Sequence, residues 1–132
     1  MKKQLPLFIT ILIFLISHRL FSQTTIIDSL YHDSGYRKYA SYLPIPYTSA
    51  IKFPLVVILH GGGGDGLLYK NNYKFDEIGD TANYVSVFPY GLNNSWAAGS
   101  GYSPSDSDNV DDVGFLIALR DSLIFSYSID SL

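Results

Sequence analysis

Five glycines in six residues follow directly on an apolar run: L-V-V-I-L (Leu55 to Leu59), then His60, then G-G-G-G-D-G (Gly61 to Gly66). No other stretch of the chain restricts the fold as much. A continuous β-branched run without alternation predicts a strand buried on both faces by helices. Glycine at this density predicts a turn where the main chain approaches a neighbour closely or takes dihedrals that side chains resist. A buried strand feeding such a turn and then a helix offers backbone N–H groups to an anion.

The flanking segments extend the pattern. Thr24 to His32 reads as a short mixed segment, closed by the turn residues Asp33-Ser34-Gly35. Tyr36 to Leu43 is rich in strand-forming tyrosine and runs into Pro44-Ile45-Pro46, which predicts an outer strand. Phe75, Ile78 and Ala82 recur at helical spacing behind Asp76 and Glu77, which suit a helix N-terminus. Val85 to Phe88 is a second short buried strand, stopped by Pro89 and Gly91. Leu92 to Asn109 is polar and glycine-containing, a long irregular loop. Asp111 or Asp112 then caps a helix to about Tyr127, with Phe115, Leu116, Leu119, Leu123 and Ile124 on its apolar face. Strand, helix, strand, helix is the start of an α/β fold with a parallel sheet.

Three devices use a glycine-rich turn after a strand. Gly61, Gly63 and Gly66 satisfy G-x-G-x-x-G, but a dinucleotide site also needs an acidic residue at the end of the next strand. Pro89-Tyr90 stands there, and Asp80 falls inside the preceding helix. A phosphate-binding P-loop needs Lys and Ser or Thr after the last glycine, where this chain has Leu67-Leu68. An oxyanion hole of the H-G-G-G type needs a histidine at the strand end and glycine amides beyond it, and His60 with Gly61 to Gly64 supplies both. A plain structural turn stays open as the alternative. On the oxyanion reading Gly62 and Gly63 are the candidate N–H donors, and His60 is expected to brace the loop by hydrogen bonding instead of acting as a base.

Other candidates are weaker. Asp106, Asp108, Asp111 and Asp112 are close enough in sequence to suggest calcium, yet the glycine and terminal glutamate of an EF-hand are missing and a helix cap explains Asp111 or Asp112. No metal and no cofactor is therefore expected. Trp96, the single tryptophan, sits in the polar loop, where it would either stack on a phenolic ring or sugar or bury itself against its own loop. Gly101-Tyr102-Ser103-Pro104-Ser105 imitates a nucleophile elbow but lacks the last glycine. His32 carries no functional argument.

The N-terminus narrows the partners. Met1-Lys2-Lys3, the apolar run from Leu5 to Ile16 and Leu20-Phe21-Ser22 have the layout of a signal peptide, predicting a leader over 1–22 and a domain over 23–132. The apolar run is shorter than the ~20 residues of a membrane span, although an uncleaved anchor remains the alternative. With no cysteine there is neither a disulfide framework nor a lipoprotein anchor. Past residue 22 the chain has six basic and twelve acidic residues, a charge of −6. That sign disfavours nucleic acid and anionic membranes. The expected location is extracellular or periplasmic, where nicotinamide cofactors and nucleoside triphosphates are scarce.

With these residues in place the chain resembles the secreted esterases that include polyhydroxybutyrate depolymerases and feruloyl or acetylxylan esterases. The likeness runs through R-K-Y-A-S-Y-L-P (Arg37 to Pro44), P-L-V-V-I-L-H-G-G-G-G (Pro54 to Gly64), F-D-E-I-G-D (Phe75 to Asp80), V-F-P-Y-G (Val87 to Gly91), Ser95-Trp96, V-D-D-V-G-F-L-I-A-L (Val110 to Leu119) and Y-S-I-D (Tyr127 to Asp130). Tyr90 departs from the aspartate usual before that glycine, and the loop around Trp96 is enlarged. The resemblance implies an α/β-hydrolase fold and a serine carboxylic ester hydrolase acting on a polyester or on phenolic or acetyl esters of plant cell walls. It also implies that the strand bearing G-x-S-x-G, and the acid and histidine of the triad, would come after Asp130. The expectation is an incomplete α/β-hydrolase fold, inactive and poorly soluble by itself. The competing expectation is a small exported binding protein whose glycine-rich turn is only structural.

Overall fold

Asp33 and Ser34 both take positive φ, 47° and 66°, so their two-residue turn is of the twisted kind that joins antiparallel strands. It connects β1 (Thr24–His32) to β2 (Gly35–Leu43) in unbroken register from Thr24↔Leu43 to His32↔Gly35. This computed structural model describes residues 24–131, and the leader expected over 1–22 lies outside the described residues. Two further strands, β3 (Leu55–Val57) and β4 (Val85–Pro89), complete a sheet of order β1-β2-β4-β3.

The sheet is mixed, which corrects the expectation of a parallel one. Only β3 and β4 run parallel; β1 with β2 and β2 with β4 are antiparallel. The difference originates in Thr24 to His32, which is a full strand and takes the outer position expected for Tyr36 to Leu43. The strand was concealed because exposed Asp28 interrupts the inward set Ile26, Leu30 and His32, while Ile27 and Tyr31 stand exposed on the other face.

Helices cover both faces. Between β3 and β4 the chain forms α1 (Gly66–Tyr73) and α2 (Phe75–Ala82), joined by Lys74 in the left-handed region. Nothing in the periodicity of G-L-L-Y-K-N-N-Y announced α1; its start is set by Asp65, whose carboxylate accepts the Leu68 N–H at 2.8 Å. Ile78, expected inward on α2, is exposed. The polar loop after β4 contains a 3₁₀ turn at Leu92–Asn94 and a short α3 (Pro104–Ser107) before α4 (Asp112–Ser126). Asp111 is the residue that caps α4, accepting the Gly114 N–H at 2.9 Å.

Strand alternation divides the core between the layers. Tyr39, Val85 and Val87 point toward α4 and meet Phe115, Leu119 and Leu123. Ala40 and Phe88 point the other way, toward Tyr69 of α1 and Phe75 of α2. β4, between two neighbours and under both helix layers, is buried at all five positions. The expectation of double burial for Leu55 to Leu59 fails. The strand ends at Val57, and Val57 and Leu59 are 42% and 44% exposed. Both border an open groove of about 1200 Å³ with Val113, Leu116 and Ile117 of α4. At the foot of that groove the chain leaving α4 turns back, and Ile129 makes a parallel bridge to Phe53.

Two hydroxyls sit badly in this core, Ser41 of β2 and Ser86 of β4. Ser86 on β4 is fully buried and its hydroxyl has no hydrogen-bond partner among the described residues. Ser86→Ala is expected to raise the unfolding free energy by about 1 kcal/mol, because a desolvated, unbonded hydroxyl is replaced by a methyl of similar size. A urea midpoint that falls instead would show that the hydroxyl is bonded.

Candidate active site

The glycine loop leaves the C-terminal end of β3, and His60 holds it to the sheet. The Gly91 N–H donates to His60 Nε2 at 2.9 Å, so Nε2 accepts and the ring proton resides on Nδ1. Nδ1 donates to the Gly61 carbonyl at 2.8 Å. The ring is 3% exposed, both nitrogens are used by main chain, and neither is left to take a substrate proton. His60 is a brace, the expected role.

The two candidate amides have different fates. Gly63 has φ +77° and its N–H donates to the Asn94 carbonyl at 2.8 Å, while the Gly64 N–H closes a turn onto Gly61 O at 3.0 Å. The Gly62 N–H has no acceptor among the described residues, and Gly62 is exposed. A methyl at Gly62 would meet nothing within 4 Å, whereas one at Gly61 would sit 2.8 Å from the Tyr69 hydroxyl. Of the two candidate amides, Gly62 is the one that stays open among the described residues.

Trp96 lies against this loop. Its Nε1–H donates to the His60 carbonyl at 2.9 Å and its ring centroid is 4.9 Å from that of the imidazole. The half-buried indole is thus tied to the loop, and it also packs against the core cluster under α4.

The four aspartates do separate jobs. Asp106 collects Ser100 Oγ (2.7 Å), Gly99 N (2.8 Å), Gly101 N (3.1 Å) and Ser103 N (3.4 Å). Asp108 accepts from Asn93 Nδ2 and Asp111 caps α4 while meeting His32 Nε2 at 3.1 Å. Asp112 pairs with Arg37. Among the described residues no three His, Cys, Asp or Glu side chains converge as metal ligands. Nor do Ser103 and Ser105 resemble nucleophiles. Ser103 caps α3 through the Asp106 N–H, and Ser105 is buried against Ser95 and the Leu92 carbonyl.

The bonds from Ser100 and Gly99 hold the Asp106 carboxyl down at about 2, against 3.8 for the free group. A depressed folded pKa stabilises the loop above the unfolded value and loses that contribution as pH falls from about 4 through about 2. Carbon-detected titration of Asp106 is expected to show a midpoint near 2, with Gly99 and Gly101 amides exchanging faster below it. A midpoint at the free value would contradict the bonding.

Sequence reasoning missed two parts of this site. Gly91 looked like a strand stop, yet its N–H is the partner of His60, and any side chain there would collide with Ser95 O, 2.2 Å from the Cβ position. The buried Arg37–Asp112 pair had no signal beyond the doubled aspartate.

Solved structures share this arrangement of sheet and helices. A CE1 ferulic acid esterase from Anaeromyces mucronatus, in complex with ferulic acid, matches with a TM-score of 0.59 at 19% identity, over 82% of this chain and 44% of that one. A fluorophosphonate-binding serine hydrolase from Staphylococcus aureus, substrate bound, matches at 0.63 and 12% identity, over 82% and 43%. An S-formylglutathione hydrolase from the same organism gives 0.58 and 15%, over 83% and 43%. This chain spans less than half the length of each of the three. No protein-family model matches the chain, and no curated protein sequence does. The mixed sheet with its flanking helices has the fold seen in part of these α/β-hydrolases.

Proposed function

We propose that this chain is the portion of an exported serine carboxylic ester hydrolase that supplies the oxyanion-binding loop, and that its substrates are esters of the feruloyl, acetyl or polyester kind. The observation that supports it is the Gly62 N–H: exposed, without an acceptor among the described residues, past the end of a parallel strand, on a loop braced by His60. In this reading a serine supplied by a segment outside residues 24–131 gives its proton to a histidine of that segment as its oxygen attacks the ester carbonyl carbon. Negative charge builds on the carbonyl oxygen, and the Gly62 amide hydrogen bonds to it there more strongly than in the ground state. The described residues offer no serine, histidine and carboxylate in mutual contact, so the 132-residue chain alone is expected not to turn over p-nitrophenyl acetate.

The loop itself is tested in a polypeptide carrying this sequence together with the nucleophile segment. Gly62→Pro removes the N–H and is expected to lower kcat roughly 100- to 1000-fold with little change in KM. Gly62→Ala keeps the N–H, has open space for its methyl, and is expected to stay near the parent rate. Equal rates for the proline and parent forms would end the proposal.

A further inference from the structure

We propose that the buried Arg37–Asp112 pair is the positioning element of the glycine loop, acting through Ala97 and Trp96. The inference deepens the oxyanion reading and rests on it for its catalytic meaning; the mechanical link stands on its own contacts.

Arg37 Nη2 donates to Asp112 Oδ1 at 2.6 Å, and the two side chains are 3% and 4% exposed. The guanidinium plane lies over the Phe115 ring, 4.1 Å from its centroid, and Nη2 also reaches the Tyr90 carbonyl at 3.4 Å. A planar ion stacked on one side and bonded at its edge has one orientation, which lysine does not reproduce. The second carboxylate oxygen is not used for the arginine. Asp112 Oδ2 accepts the Ala97 N–H at 2.7 Å. Ala97 follows Trp96, whose indole N–H grips the His60 carbonyl, and Ser103 Oγ closes the loop behind by donating to Trp96 O at 2.9 Å. The path therefore runs from β2 through the first residue of α4 to the loop, and from the loop to His60, whose ring bonds Gly61 O and Gly91 N. A hydrophobic pair of similar volume would hold β2 to α4 equally well. It would not present an acceptor to Ala97. That second acceptor is what distinguishes a positioning role from a purely structural one.

The test uses the 132-residue chain and requires no turnover. Amide exchange is followed by mass spectrometry on peptides spanning residues 60–66 and 85–95, with the emission of the single tryptophan alongside, under conditions where all variants are folded. Asp112→Asn presents an amide N–H₂ to one of its two donors and loses that contact. It is expected to speed exchange in both peptides roughly tenfold and to red-shift Trp96, while peptides from β1 and β2 stay protected. Trp96→Phe leaves the ion pair whole, cuts the path one link later, and is expected to speed the same two peptides. Leu123→Ala, a core change remote from the loop, is expected to raise exchange evenly across the chain. The proposal is overturned if Asp112→Asn behaves like Leu123→Ala, or if Trp96→Phe leaves both peptides as protected as the parent. Should Asp112→Asn fail to fold, Arg37→Lys, which keeps the charge and loses the stacked planar edge, takes its place: faster exchange in both peptides supports the proposal and parent-like exchange overturns it. An unchanged rate for Gly62→Pro in the longer enzyme would remove the catalytic reading and leave this coupling intact.

Discussion

His60→Ala is expected to lower the unfolding free energy by about 2 to 4 kcal/mol, among the largest effects of any single change in the described residues. The substitution strips the acceptor from the Gly91 N–H, a buried donor that has nowhere else to turn. Gly91 is pinned: its backbone approaches Ser95 so closely that even a methyl would be 2.2 Å from the Ser95 carbonyl. It also strips the donor from Gly61 O and removes a ring packed between Tyr69 and Trp96. An unpaired buried N–H costs roughly 1 to 3 kcal/mol and the vacated volume adds to it. His60→Gln, with one acceptor and one donor on a flexible stem, is expected to recover part of the loss. Urea unfolding followed by Trp96 emission measures both variants. A cost below about 0.5 kcal/mol for the alanine form would mean that the imidazole bonds are unimportant in solution.

The open groove sets the other large effect. The Ile58 N–H donates to Val87 O and the Val85 N–H to Pro54 O, so even-numbered positions around β3 turn inward to β4. Phe53 bonds Ser128 and Asp130 on the opposite side. Leu55 and Val57 therefore direct their N–H and C=O groups to an edge that carries no further strand among the described residues, above the apolar side chains of Val57, Leu59, Val113 and Ile117. An unpaired edge beside an apolar surface recruits other chains. The 132-residue chain is expected to self-associate and to bind a hydrophobic dye. Introducing Val57→Lys together with Ile117→Lys is expected to raise the concentration of soluble monomer roughly tenfold, since both positions border the groove without belonging to either buried cluster. Sedimentation velocity distinguishes the two forms. A parent chain that stays monomeric at high concentration and melts in one sharp transition would contradict this account.

What could be read from the residues follows from how local each signal is. The L-V-V-I-L run, the V-S-V-F strand and the Asp111 cap are statements about neighbours in sequence, and each appears where expected, apart from the length and burial of β3. The edge strand Thr24–His32 was hidden because its partner, β2, supplies the pairing that its own interrupted alternation does not advertise. Which glycine amide stays open was beyond the motif altogether. Gly62 and Gly63 are chemically alike, and only the Asn94 carbonyl, delivered by a later loop, uses up one of them. The G-x-G-x-x-G coincidence has a similar explanation. Gly66 is glycine because a Cβ there would be 2.2 Å from the Phe88 carbonyl, a matter of α1 seating on β4 and not of a nucleotide. The Arg37–Asp112 pair joins residues 75 apart, too distant for any spacing rule.

The β1–β2 hairpin gives the molecule an uneven clock. Its nine facing pairs are joined by two residues, and hairpins of this kind close in about 1 to 10 μs. The contacts that tie the glycine loop to the chain beyond it, with Gly91, Asn94 and Trp96, span far more sequence and form later. In refolding, tyrosine signals from the hairpin belong to the early part of the reaction and the lone tryptophan to its end, so Arg37 stands on a formed β2 before the loop it positions has closed.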